Sequence, residues 1–76
     1  MATVRFLTRT ACHLCERAFP LIARRAKRLG WELEIVDVDE VGLAGEYGER
    51  VPVVLVDGIE RLAGLFGRSE VREALR

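Results

Sequence analysis

Residues 3–15 read TVRFLTRTACHLC, and they join a strand-like run to the start of a helical pattern. Residues 3–8 are rich in β-branched and aromatic side chains, and successive side chains point to opposite sides, which is typical of a strand. Both cysteines of the chain, Cys12 and Cys15, lie at the junction, separated by two residues. A thiol at Cys12 can attack a disulfide, and Cys15 can resolve the product from within the same turn, so the sequence predicts a redox centre here.

Composition favours one small domain spanning residues 1–76. Half of the 76 residues are apolar, which is enough for a single core. The two cysteines close a loop too short to staple a fold, so stability must come from packing. The formal net charge is zero and the charges are mixed along the chain, which favours neither nucleic acid nor anionic lipid as a partner.

The first residues give the expected compartment. Residues 1–4 run into the strand without a charged leader or an apolar stretch of signal-peptide length, and no run approaches the roughly 18 apolar residues that a membrane span needs. We therefore expect a cytoplasmic protein without a membrane segment. Thiols in a reducing compartment are expected to be catalytic or metal-bound.

The first half of the chain predicts a β-α-β unit. Apolar residues recur at helical spacing over 13–29, with Thr10 as a candidate cap and Gly30 as a stop. Pro20 lies inside this helix and predicts a bend near Glu16. A second strand is predicted over 31–38.

The second half predicts a weak helix, a hairpin and a final helix. A short helix is expected over 40–48, followed by the apolar run 51–56 with Pro52 opening the strand. Asp57-Gly58 predicts a tight turn into a partner strand over 59–65, and Ser69 is the predicted cap of a helix over 70–75. The resulting fold is α/β with the order β-α-β-α-β-β-α: a mixed four-stranded sheet with helices on both faces.

The helix start should give the two thiols different roles. Unpaired N–H groups and the positive end of the helix dipole favour an anion at Cys12, and they are expected to lower its thiol pKa from about 8.5. Cys15, one turn inside, should be more buried. This assigns Cys12 as the nucleophile and Cys15 as the resolving thiol.

Neighbouring basic residues are candidates for tuning and for substrate binding. His13 could favour the thiolate when protonated, or lie solvated between the cysteines. Arg9 could supply permanent positive charge or bind a substrate carboxylate. Arginines at 17, 24, 25 and 28 on the predicted helix are interpreted first as a solvated face and second as a docking surface for an acidic partner.

Two other readings of the cysteine pair remain open. One is a binding module in which two chains share a metal ion or an iron-sulfur cluster through Cys12 of each, since Cys12, Cys15 and His13 are too few for a closed zinc site in one chain. The other is an interaction domain whose cysteines stay reduced without turnover.

Three stretches together resemble the small glutaredoxin-like proteins of the thioredoxin superfamily: residues 6–9, the Cys-His-Leu-Cys motif at 12–15, and YGERVPVV at 47–54. The resemblance spans nearly the whole chain. It implies a cis peptide bond at Pro52, lying against the cysteines, although most X-Pro bonds are trans. It also implies that the backbone of Val51 pairs with a substrate, and that Arg9 is the basic residue preceding the motif.

The resemblance further implies a thiol-disulfide oxidoreductase with no cofactor beyond its own disulfide. Its partners would be a disulfide-containing protein or thiol substrate, and a reductant such as glutathione, another small thiol or a thioredoxin-reductase-type enzyme. We expect a monomer. The chain departs from the usual Cys-Pro-Tyr-Cys of glutaredoxins at His13 and Leu14. It also has no Asp near residues 63–66, where the family holds glutathione.

Overall fold

The computed structural model describes residues 1–76, and its elements have the predicted order β-α-β-α-β-β-α. The strands and helices are β1 (Thr3–Thr8), α1 (His13–Leu29), β2 (Glu32–Asp37), α2 (Ala44–Tyr47), β3 (Val53–Val56), β4 (Ile59–Ala63) and α3 (Arg68–Ala74).

One mixed sheet organises the chain, with its strands in the order β2-β1-β3-β4. β1 pairs parallel to β2, as the long helical crossover between them requires, and antiparallel to β3. The β3–β4 hairpin turns at Asp57 and Gly58, whose φ angles of 50° and 84° fit the left-handed positions of a tight turn. The α/β fold with a mixed four-stranded sheet is therefore confirmed.

Both faces of the two central strands are covered. Phe6 and Leu7 are consecutive in β1 and point to opposite faces, yet both are 1% exposed, and Val53 and Val54 in β3 are fully buried. The ring of Phe6 meets that of Phe19 edge to face at 5.5 Å, which places α1 over one face. On the core's margin lie Leu43, Ala44 and Tyr47 from the region of α2.

Two of the predicted helix caps are wrong. α1 begins at His13, as predicted, but it is capped by Cys12 and not by Thr10, because Ala11 takes the left-handed conformation (φ 59°) between the two residues. α3 begins at Arg68, with Ser69 already inside it. There the Glu70 carboxylate accepts the Gly67 N–H at 3.1 Å, the bond that an acidic residue at the third helical position makes with the cap residue.

Other boundaries differ by a few residues. α2 is a single turn, shorter than the predicted 40–48, and β4 ends at Ala63, before Gly64 (φ 75°). α1 runs unbroken through Pro20 and ends at Gly30, whose φ of 71° closes the helix as predicted. No helix combines the length and the apolar character that crossing a bilayer would demand.

Candidate active site

The backbone before α1 delivers Cys12 to the helix start. Ala11 is left-handed and Cys12 is extended (φ −109°, ψ 101°), so the chain turns sharply between β1 and the helix. The Cys12 Sγ accepts the backbone N–H of Cys15 at 3.1 Å. The sulfur therefore occupies the position of an N-cap oxygen, where the helix dipole and the Cys15 N–H both favour negative charge.

The two sulfurs are joined and unequal. Cys12 and Cys15 form a disulfide with their Cα atoms 5.2 Å apart. Cys15 is 4% exposed and belongs to the hydrophobic core, whereas Cys12 is half-buried at its margin. An incoming thiol or disulfide therefore meets the Cys12 side of the pair first.

An open cleft of about 420 Å³ lies beside the disulfide. Both cysteines line it, together with apolar groups of α1 and the exposed Ile35 of β2, and Arg9 and Glu16 provide its charged groups. The cleft gives an extended or apolar group room next to the sulfurs. Its other lining residues are Phe6, Thr8, Ala11, Phe19 and Pro20.

The Val51–Pro52 peptide bond is cis. In the antiparallel register Leu7 pairs with Val53. Pro52 therefore lies at the end of the two central strands where β1 stops and the cysteine loop begins. The Val51 N–H is donated to the Tyr47 carbonyl at 3.1 Å, and the pairing of the Val51 backbone with a substrate stays a prediction. The Val51 carbonyl takes part in no hydrogen bond within the chain.

Arg9, predicted to supply permanent positive charge or to bind a substrate carboxylate, is engaged within the protein. Its Nε and Nη2 donate to the two carboxylate oxygens of Asp39 at 3.1 and 2.8 Å, and its Nη1 donates to the Gly48 carbonyl at 3.0 Å. The hydrogen bond and charge of Asp39 raise the pKa of Arg9 further above its ordinary value, so the guanidinium stays charged. We call this set of bonds the Arg9 bracket, because it ties the cysteine loop to the segment leading into Val51.

The remaining predicted site residue, His13, is the first residue of α1 and is exposed. The His13 side chain makes no hydrogen bond or ion pair within the chain, so its proposed influence on the thiols would act through space. No group of three or more His, Cys, Asp or Glu side chains is arranged to hold a metal ion.

Sequence reasoning assigned no role to Asp39, Tyr47 or Gly48, although the last two begin the stretch 47–54 that carries the resemblance. Asp39 belongs to the acidic stretch DVDE at 37–40, and Gly48 is buried where an added Cβ would lie 2.8 Å from the Arg9 Nη1. The one signal in the sequence is proximity: Tyr47 and Gly48 lie a few residues before Pro52, the predicted site residue.

A mixed four-stranded sheet with a cysteine pair at the start of its long helix and a cis-proline just before β3 defines the thioredoxin fold class. The family model described as "Glutaredoxin-like domain (DUF836)" matches residues 3–76. The chain belongs to this family of small glutaredoxin-like proteins.

The chain is also similar to individual proteins. The uncharacterized protein Rv0508 of Mycobacterium tuberculosis is 40% identical over 63 residues, which are 75% of this chain and 65% of Rv0508, so the match spans just under two thirds of that relative. The X. campestris structural-genomics target protein XcR50 is 32% identical, with a TM-score of 0.74, and the match covers 92% of this chain and 91% of XcR50.

A thioredoxin mutant from Halobacterium salinarum NRC-1 shares the fold. It superposes with a TM-score of 0.73 at 24% identity, and the match covers 97% of this chain and 71% of the thioredoxin.

Proposed function

We propose that the protein is a thiol-disulfide oxidoreductase that reduces protein disulfides or mixed disulfides with a small thiol. The observation that carries the proposal is the asymmetry of the pair: the Cys12 sulfur caps α1 and faces outward, whereas Cys15 is 4% exposed. This is the arrangement that an attacking and a resolving thiol need.

The reaction begins with the reduced pair. The Cys12 thiolate attacks one sulfur of the substrate disulfide, a Cys12–substrate disulfide forms, and the other substrate sulfur leaves as a thiolate that takes up a proton. Cys15 then loses its proton and attacks the Cys12 Sγ, which releases the second substrate thiolate and closes the Cys12–Cys15 disulfide. The substrate gains two electrons and the dithiol loses them.

The resting enzyme is restored by a reductant. Two equivalents of a small thiol such as glutathione, or a thioredoxin-reductase-type enzyme, would return the two electrons. Because this cycle needs a reducing compartment, we propose the cytoplasm as its location. The proposed working form is a monomer.

Substrate contacts follow from the open groups around the pair. We propose that the free Val51 carbonyl accepts a backbone N–H of an extended substrate and that Pro52 limits its approach to the sulfurs. Arg9 acts as a positioning residue in this proposal, since its donors are already bound to Asp39 and Gly48. His13, exposed beside Cys12, would favour the thiolate when protonated.

The proposal is tested by trapping. Reduced Cys15→Ser protein, incubated with glutathione disulfide, should gain the mass of one glutathionyl group on Cys12 and hold it, whereas Cys12→Ser should gain none. Cys12→Ser is a fair control for folding because serine also caps helices well.

Equal adduct formation at both cysteines would overturn the assignment of roles. Protein that purifies anaerobically with iron or zinc shared between two chains through Cys12 would replace the reductase proposal with the metal-binding module.

A further inference from the structure

The C-terminal half of α1 and the start of α3 enclose a concavity lined by arginines. Its volume is about 110 Å³, and no acidic residue lines it. We call it the arginine pocket, and it holds five of the twelve basic residues of a chain whose net charge is zero. Its lining residues are Leu21, Arg24, Arg25, Arg28, Arg68, Val71 and Arg72.

Helical spacing explains the convergence. Residues 21, 24, 25 and 28 follow the i, i+3, i+4, i+7 pattern, so they share one face of α1. Residues 68, 71 and 72 do the same on α3. The two faces meet because Val71 and Leu75 of the C-terminal segment are buried in the core with Ile22 of α1.

One arginine fixes the pocket and the others are free. The Arg25 Nε donates to the Leu75 carbonyl at 2.7 Å and so ties α1 to the end of α3. The other four are exposed and make no ion pair or side-chain hydrogen bond within the chain. They form like-charge pairs at i, i+4 on each helix, which destabilise a helix unless an anion lies between them.

The lining and the size define the ligand. Guanidinium groups bind phosphate oxygens in pairs of parallel hydrogen bonds. No aromatic ring lines the pocket to stack a base, only Leu21 and Val71 are apolar, and the volume is well below the roughly 300 Å³ at which drug-sized pockets begin. We propose that the arginine pocket binds a small, multiply charged phosphate of the pyrophosphate or tripolyphosphate class.

This site is separate from the redox pair. Arg24 lies nine residues after Cys15, which is about 14 Å along the helix axis at 1.5 Å per residue. Anion binding is therefore expected to be measurable in the oxidised protein and to be independent of whether the chain turns over disulfides.

The test is calorimetric titration of the purified chain with tripolyphosphate, pyrophosphate and orthophosphate at low and at physiological salt. We expect one anion per chain and affinity falling in that order. The double variant Arg24→Gln with Arg68→Gln, which removes one charge from each helix, should bind tripolyphosphate about tenfold more weakly or worse.

The matched control is Lys27→Gln with Arg61→Gln, which removes the same charge outside the pocket and should retain the affinity within about threefold. Without ligand, the Arg24→Gln, Arg68→Gln protein should melt at or above the temperature of the original protein, because it has lost like-charge repulsion.

Three results would overturn the proposal: no saturable phosphate binding at low salt, an equal loss of affinity in the control, or binding of a glutamate-rich peptide in place of the phosphates.

Discussion

The two ends of α1 use the same helix in different ways. At its start, Cys12 caps the helix and the nearby Arg9 is fully occupied by Asp39 and Gly48. In its second half, Arg24 and Arg28 face the arginine pocket, which offers no carboxylate to pair with them. An arginine near the start of α1 thus has protein partners for its guanidinium, whereas two arginines in the second half have none. Residue type alone does not predict which arginine is paired.

The largest effect should come from the residue between the two ends. Ile22 is fully buried on α1, so Ile22→Ala removes core contacts that hold the whole helix. We expect a loss of about 2–5 kcal/mol in the free energy of unfolding, measured by urea denaturation, which is a large share of the stability of a domain this size. Leu14→Ala, at a residue 38% exposed, is the control and should cost far less. Equal losses would mean that α1 is not anchored through Ile22.

Breaking the Arg9 bracket should affect the redox end alone. Arg9→Gln frees Asp39 and the Gly48 carbonyl, so the segment leading to Val51 and Pro52 is expected to shift against the cysteine loop. We expect the rate of disulfide reduction to fall by about tenfold, since small misplacements near reacting atoms have effects of this size or larger. The measurement is steady-state reduction of a model disulfide.

Arg5→Gln is the matched control, because it also removes an arginine–carboxylate pair, that of the exposed Arg5 with Glu34. Its rate should be unchanged. A comparable loss in Arg5→Gln would show that overall charge, and not the bracket, matters.

Two glycine substitutions should change the stability of the protein in opposite directions. Gly30 ends α1 with a φ of 71°, so Gly30→Ala should destabilise the protein by about 1 kcal/mol. Gly45 lies in α2 without a positive φ, and an added Cβ there meets nothing within 4 Å, so Gly45→Ala should stabilise it by about 0.5–1 kcal/mol. Urea midpoints of the two variants measure the difference, and shifts of the same sign would contradict it.

The smallest effect is expected at Ala11. Its φ of 59° is unfavourable for alanine, and Ala11→Gly relieves about 1–2 kcal/mol while adding about 0.4–1 kcal/mol of unfolded-state entropy. We therefore expect a net gain of about 0–1.6 kcal/mol, centred below 1 kcal/mol, measured by thermal denaturation. A clear loss of stability would show that the Cβ of Ala11 makes contacts that outweigh its backbone conformation.

The features that could be predicted are those set by residues close together in the sequence. The strand of residues 3–8, the helix over 13–29 and its stop at Gly30 follow from alternation, helical spacing and a left-handed glycine, all within a few residues. The outward Cys12 and the buried Cys15 follow from the same helix start.

What sequence reasoning missed depends on distant partners. Arg9 meets Asp39 and Gly48 across 30 and 39 residues, and nothing near Arg9 in sequence indicates either contact. The arginine pocket needs α3 to pack beside α1, so the arginines of α1 alone looked like a solvated face. Ser69 was a reasonable cap by composition, but the Glu70 carboxylate bonds the Gly67 N–H and the helix starts earlier.

The reduction potential of the Cys12/Cys15 pair tests the proposed redox function most directly. The protein would be equilibrated with graded glutathione and dithiothreitol buffers, and the free thiols counted by mass after alkylation. We predict reversible two-electron titration with a midpoint near or below about −200 mV, as a reductase in a glutathione-poised compartment requires. A pair that forms no intramolecular disulfide in any of these buffers would contradict the proposal.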